Sequence, residues 1–275
     1  MSPDDEAQDP AERWSEIRDR HVILENDHAL VLNKPASISV TGERHGWDIV
    51  SLAEAAGEWV MPAHRIDKVT SGAVLFAKTI EAHGGLTRQF NKRTVDKGYL
   101  VVTRTVGLPE SGVIDLPLSE GRKKRVRVAA PRERIVADTV ADTASHTASH
   151  TWSVPRSEVF DNKRSYPSVS LFVRLWAGRR HTLLLVRPLT GRRHQIRVHL
   201  AWIGHPIMGD PLFANDDGVH RTFLHSWRLD FDACWGDGER IEVEARPGPD
   251  FAEMDDLPPV GEMLDRATVA LVELP

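Results

Sequence analysis

The strongest constraint in this chain is the stretch His64-Arg65-Ile66-Asp67-Lys68-Val69-Thr70-Ser71-Gly72, which runs directly into Ala73-Val74-Leu75-Phe76-Ala77. Five successive apolar residues after a Ser-Gly turn signal read as a strand buried on both faces. The polar segment before it then hangs from the end of a rigid core element, where chemistry tends to sit. Within that segment one carboxylate, Asp67, stands between Arg65 and Lys68. Nearby cations favour the charged form of an acid, so Asp67 is expected to be ionised and usable as a base or nucleophile. On this stretch alone the plainer reading is the better supported: Asp67 caps a turn and pairs with Arg65 at the surface.

A length of 275 residues allows one large domain or two small ones with a real core. The single Cys234 cannot form an internal disulfide. The opening MSPDDEAQDPAERW is acidic and has no apolar h-region, and no run is long enough to cross a bilayer. The expectation is a cytoplasmic protein with no membrane partner, acting as a monomer.

The net charge of -5 argues against a nucleic-acid partner until its distribution is seen. No Asp or Glu occurs between Asp161 and Asp210, while Lys163, Arg164, Arg174, Arg179, Arg180, Arg187, Arg192, Arg193 and Arg197 fall there. A second basic block is Arg122-Lys123-Lys124-Arg125-Val126-Arg127, followed by Arg132 and Arg134. A basic middle between acidic ends fits one face meeting a polyanion. Charge alone leaves a solvated, arginine-rich surface equally open.

Taken in order, 1–20 reads as a polar lead or short helix. His21–Leu24 and Ala29–Leu32 read as two strands around a tight turn, the second ended by Asn33-Lys34-Pro35. Residues 48–59 carry helical spacing with Asp48 as N-cap, and 79–92 a helix starting at Thr79. Strands are expected at 97–103, with Tyr99 near the entry, at 112–115, 125–129, 169–175 and 182–186, and again from Phe223 and at 241–245. Residues 137–153 are low in complexity and read as an exposed, mobile insertion. His146 and His150 within it lack other donors at ligand spacing, so no metal site is read there. A short helix is expected from His194 to Ile203, with Ile196, Leu200 and Ile203 on one face and Arg193 and Arg197 projecting together. His194 and His199 are poorly spaced for a metal and have no acid nearby. The region from 247 to 275 is acidic and proline-rich, with a short helix near 262–267. Many strands with few helices point to an α+β fold.

Asn33-Lys34-Pro35-Ala36, HRIDKVTSGAVLFAK (64–78), Lys97-Gly98-Tyr99, GRRHQIRVHLAWIGHPIMGDPL (191–212) and Leu224-His225 together resemble the RluA-like family of pseudouridine synthases. The order and spacing of these segments carry the resemblance over about residues 22–245. It implies a pseudouridine synthase fold over 21–246, a bent mixed sheet with flanking helices and a central RNA cleft. It implies Asp67 as the catalytic residue, attacking or deprotonating the nucleoside while uracil leaves C1′ through N1 and rejoins through C5. It implies that Tyr99 stacks on the target uracil, Arg197 pairs with Asp67, Arg65 displaces the base and Leu200 lines its pocket. No cofactor and no metal are implied; the partner is RNA, of the tRNA or 23S-type rRNA class. An upstream S4-type RNA-binding domain is not expected. Ile66, Lys68-Val69, Ser37 and Arg193 depart from the usual family residues, Ser37 standing where Gly is common. A non-catalytic RNA-binding protein retaining the cleft is the alternative. An N-glycosidase is disfavoured by the lack of a second carboxylate motif.

Overall fold

The computed structural model describes residues 9–43, 46–121, 125–141, 148–161, 163–215, 218–252 and 256–273. The chain divides into two compact units. One comprises the chain up to Lys97 together with His225–Pro247; the other comprises Gly98–Leu224 together with Gly248–Pro275.

The first unit opens with α1 (Pro10–His21), capped by Asp9, whose side chain accepts from Ala11 N. Of the two states expected for this lead, residues 10–20 take the helical one, and Trp14 and Ile17 are buried. Two apolar residues a turn apart suffice to seat a mainly polar helix. β1 (Val22–Glu25) and β2 (Ala29–Lys34) pair antiparallel. The Asn26 side chain makes their turn by accepting from His28 N and Ala29 N. α2 (Ile49–Ala55) starts at the expected N-cap, where Asp48 and Ser51 form a reciprocal capping box. Such a cap contributes about 1 kcal/mol. β3 (Met61–Pro62) and β4 (Ser71–Ala77) follow, then α3 (Ile80–Lys92), capped by Thr79 as expected.

All seven residues of β4 are buried. Val74 and Phe76 join Trp14, Leu30, Leu32, Ile49 and Leu52 on one side. Ala73, Leu75 and Ala77 join Ala82, Leu86, Leu229 and Phe231 on the other. The continuous apolar run is therefore the signature of two cores sharing one strand.

The second unit contains all but the first two residues of β5 (Asp96–Thr103), with β6 (Ser111–Asp115), β7 (Leu118–Glu120), β8 (Val126–Val128), β9 (Val136–Ala141), β10 (Ala148–Ser153), β11 (Ser165–Tyr166), β12 (Val169–Ala177), β13 (Thr182–Pro188) and α4 (Gln195–Trp202). Its main sheet runs β5-β13-β12-β6-β10-β9, and β11-β7-β8 form a smaller one. The stretch expected as an exposed, mobile insertion carries a strand at each end. β9 and β10 pair with each other, and β10 adds in parallel to β6. Backbone pairing to an existing edge needs few apolar side chains, so composition hid it. Trp152 supplies one, its ring centroid 5.8 Å from that of Phe172. Residues 136–139 are exposed, as expected, while His146 lies outside the described residues.

The chain then returns to the first unit. β14 (Leu224–Asp232) runs parallel to β4 with His225 opposite Ser71, and β15 (Arg240–Glu244) pairs antiparallel with β14. α5 (Pro249–Ala252) and α6 (Val260–Glu273) belong to the second unit. α6 is longer than the helix expected at 262–267, and it buries Met263, Ala267 and Ala270. Between these helices the Asp256 carboxylate accepts from the backbone N–H groups of Arg179, Arg180 and His181. Those donors, Arg180 first, hold its pKa down to about 2. The C-terminal segment is thus anchored to the β12–β13 turn.

The fold is mixed α and β, as the element pattern implied. Gly72 bears most directly on the loop that precedes it. Its φ is +108°, and a Cβ there would lie 2.2 Å from the Ser226 carbonyl oxygen. We expect Gly72→Ala to lower unfolding free energy by at least ~2 kcal/mol, from backbone strain and overpacking together. Gly42→Ala, with φ +82° but open space, should cost less. Urea titration of both variants checks this.

Candidate active site

In the first unit, loop 64–70 is held at both ends. At its start Leu75 N donates to His64 Nε2 at 3.2 Å, and the His64 ring stacks on Phe90 at 4.4 Å. The accepting Nε2 requires a neutral ring. Burial, with Lys97 nearby, pushes its pKa down to about 3. At the loop's end Thr70 N donates to the Asp67 carbonyl at 3.0 Å. Ser71 Oγ lies 2.8 Å from His225 Nδ1, while His225 Nε2 lies 2.8 Å from the Ala245 carbonyl. A carbonyl oxygen can only accept, so Nε2 carries the proton and Nδ1 accepts from Ser71.

Asp67 is half-buried and Arg65 is exposed. Arg65 makes no ion pair among the described residues, so the surface Asp67–Arg65 pair of the plainer reading is not formed. The other flanking cation is committed elsewhere: Lys68 Nζ is 2.7 Å from Glu43 Oε2. Under the loop lies a residue to which the sequence reading gave no role. Lys34 is fully buried, and its Nζ donates to the Pro35 and Ile38 carbonyls at 2.7 and 2.8 Å, with the Lys68 carbonyl at 3.5 Å. Ser37 N donates to the same Lys68 carbonyl at 2.8 Å. Ser37 has φ +70°, which explains why glycine suits that position. The only sequence signal for Lys34 was its place in the Asn-Lys-Pro segment.

The second unit holds Tyr99, Arg197 and Leu200. Tyr99 is half-buried on β5, opposite Val186 of β13. Leu200 is 1% exposed on α4. Arg197, also on α4, is 2% exposed, and its Nε and Nη2 reach both Asp210 oxygens at 2.7 and 2.8 Å. Asp210 also accepts from Leu212 N and Phe213 N, and the guanidinium lies 5.3 Å from the Phe213 ring centroid. A two-pronged buried pair of this kind fixes a guanidinium's direction.

The expectation that Arg193 and Arg197 project together fails. His194 takes a left-handed conformation (φ 55°) and α4 starts only at Gln195, so Arg193 lies outside the helix and is exposed. The helix is buried nearly all round. Gln195 accepts from Thr190 Oγ1 and donates to the Val169 carbonyl. His199 lies 3.0 Å from both Ser170 Oγ and the Leu116 carbonyl, and burial lowers its pKa to about 4. Both side chains are framework residues. Arg132 likewise caps α4, donating to the Ala201 and Trp202 carbonyls. Residues 122–124 of the second basic block lie outside the described residues. Among the described residues no three His, Cys, Asp or Glu form a metal-binding group. None of their helices is long and apolar enough to cross a membrane.

The family model for RNA pseudouridylate synthases matches residues 28–202, a span that holds all five candidate site residues. The chain belongs to that family. The "Dual-specificity RNA pseudouridine synthase RluA" of Vibrio vulnificus is 33% identical over 229 residues, covering 81% of this chain and 79% of the relative. The "tRNA pseudouridine(32) synthase, mitochondrial" of Saccharomyces cerevisiae is 32% identical over 77% of this chain and 40% of its own. In fold, the chain matches "Human RNA Pseudouridylate Synthase Domain Containing 4" with a TM-score of 0.67 at 20% identity, covering 94% of this chain and 97% of the other. As a member of the RNA pseudouridylate synthase family, the protein is an isomerase acting on RNA.

Two outcomes test this framework. Lys34→Met keeps the volume but leaves the carbonyls around it without their donor. At about 1–3 kcal/mol per unsatisfied buried group, it should destabilise by at least ~2 kcal/mol. It should also lower kcat more than it raises KM for RNA, read from steady-state kinetics. For His199, the folded pKa of about 4 lies below the ordinary 6.5. Its contribution is full above pH 6.5 and falls as pH drops towards 4, by about 1.4 kcal/mol per pH unit. Urea midpoints for His199→Gln should therefore change less between pH 7 and pH 5 than those of the wild type.

Proposed function

We propose that Asp67 is the reacting carboxylate of this synthase and that its target is a uridine in tRNA or large-subunit ribosomal RNA, modified in the cytoplasm by a monomer. The reading rests on one observation above all. The single acid of loop 64–70 sits on the end of a doubly buried strand, with its flanking cations either exposed or paired with another acid. A group held this rigidly is suited to meeting one reacting atom.

The isomerisation needs no co-reactant. The C1′–N1 bond breaks and a C1′–C5 bond forms; the C5 proton leaves and N1 takes one up. Asp67 serves as nucleophile or base in that exchange. Taking a base out of a stacked strand costs a few kcal/mol. Exposed Arg65, beside the acid, is assigned to that displacement. The Tyr99 ring is assigned as a face for the unstacked uracil and Leu200 as an apolar wall of its pocket. Arg197, aimed by Asp210, is assigned to substrate binding.

Both RNA classes have support among the relatives. One is the yeast enzyme already named; another is "Ribosomal large subunit pseudouridine synthase D" of Nitrosomonas europaea, 31% identical over 76% of this chain and 57% of its own. None of the relatives quoted bears the name of a binding protein, which favours catalysis over the non-catalytic alternative.

Asp67→Asn should reduce tritium release from RNA carrying C5-tritiated uridine by at least ~10²–10⁴-fold while RNA binding persists. Full activity in this variant would refute the assignment. Mapping pseudouridines in total RNA with and without the gene identifies the target; an unchanged map would refute a role on tRNA and rRNA.

A further inference from the structure

The acid-free interval holds one feature that the active-site reading does not use. Tyr166 of β11 is half-buried, and two guanidinium carbons lie over its ring, that of Arg164 at 5.0 Å and that of Arg192 at 5.2 Å. Two cations gathered on one ring make a place that favours an anion. Among the described residues neither guanidinium has a carboxylate partner. In strand register the acid facing this end of β11 is Glu120 of β7, and it forms no ion pair with Arg164. Arg193, next to Arg192, is exposed and also without an acid, and so is Lys163 beside Arg164.

The arrangement is anchored rather than loose. Tyr166 is paired with Leu118 in the small sheet, and its carbonyl accepts from Ser168 Oγ. Arg192 Nε is 3.4 Å from the Pro167 carbonyl, and Arg192 N donates to Gln195 Oε1 at 3.0 Å. Gln195 is the first residue of α4, which also carries Arg197 and Leu200. The cation pair is thus tied through one side chain to the helix assigned to the target nucleotide.

We infer that Arg164 and Arg192, both gathered on the Tyr166 ring, form a docking site for a backbone phosphate of the RNA substrate, on a nucleotide flanking the target. This rests on the assignment of α4 to the target nucleotide. A phosphodiester brings the anionic oxygens that two neighbouring guanidiniums lack, and arginine forks match its geometry. The Tyr166 ring is the common anchor of the two guanidiniums. A phosphate contact positions the strand without reading sequence. The site therefore sets register and affinity and leaves the choice of base to the pocket.

The test compares the wild type with Arg164→Ala/Arg192→Ala, Tyr166→Ala and Tyr166→Phe, using unfractionated tRNA and filter binding over a range of salt. The double variant should weaken binding by about tenfold at low salt. It should also flatten the log–log salt dependence by about 0.7, the share of the slope that one phosphate of a single strand supplies. In turnover it should raise KM far more than it lowers kcat. Tyr166→Ala should follow in the same direction, since the ring that holds both arginines is removed, and Tyr166→Phe should match the wild type. Thermal unfolding of each variant separates these effects from misfolding. Equal affinity and an equal salt slope in the folded double variant would overturn the inference. A kcat loss with unchanged KM would overturn it as well, by moving these arginines into the chemistry. A wild type that binds RNA but forms no pseudouridine would instead refute the catalytic reading, and the binding comparison would still decide this one.

Discussion

Double burial of β4 is the constraint on which the site depends. A strand packed on both faces has no freedom to shift register without exposing one core or the other. Loop 64–70 is attached to that strand, and Gly72 brings the backbone so close to Ser226 that no side chain fits between them. His64, Ser71 with His225, and Lys34 through the Lys68 carbonyl then tie the loop and its end to the rest of the same unit. Each tie satisfies groups that would be costly to leave unpaired in the interior. The acid at position 67 inherits the rigidity of the core without being part of it.

A similar division of labour holds in the second unit. The segment from Gly191 to Leu212 looks, as a sequence, like a string of charged and polar residues available for RNA. Most of it is framework. Gln195 and His199 tie α4 to β12 and to the chain ahead of β7, and Arg197 is aimed by Asp210. Arginine count is therefore a poor measure of phosphate contacts here. Arg132 satisfies helix carbonyls and Arg174 reaches towards Glu110, whereas Arg164, Arg192 and Arg193 remain without an acid among the described residues.

The parts of the fold that were legible in the sequence are those with strong local rules. The apolar run at 73–77 and the Asp48 and Thr79 caps each act within one turn or strand, and each is where the pattern placed it. The parts that were not legible depend on partners distant in the chain. β10 exists because β6 offers an edge; the C-terminal segment is seated because Asp256 meets three backbone donors at the β12–β13 turn. Arg193 and Arg197 have helical spacing, but the left-handed residue between them breaks the helix, and spacing carries no sign of that. Of the site, the acid proposed to react stands out by its setting at the end of the apolar run and by its motif. The buried lysine beneath it was not, because a lysine in a loop motif gives no hint that its ammonium group is fully enclosed.

The central claim is geometric: the target ribose must come to the carboxylate at position 67. The most direct measurement is a crystal structure of Asp67→Asn bound to a substrate RNA whose modified uridine has been mapped. The account predicts the flipped uridine with C1′ or its ring about 3–3.5 Å from the residue-67 side chain, the spacing of a near-attack arrangement. It also predicts the uracil against Tyr99. A target uridine bound away from residue 67, with the modified position still formed by the wild type, would contradict it.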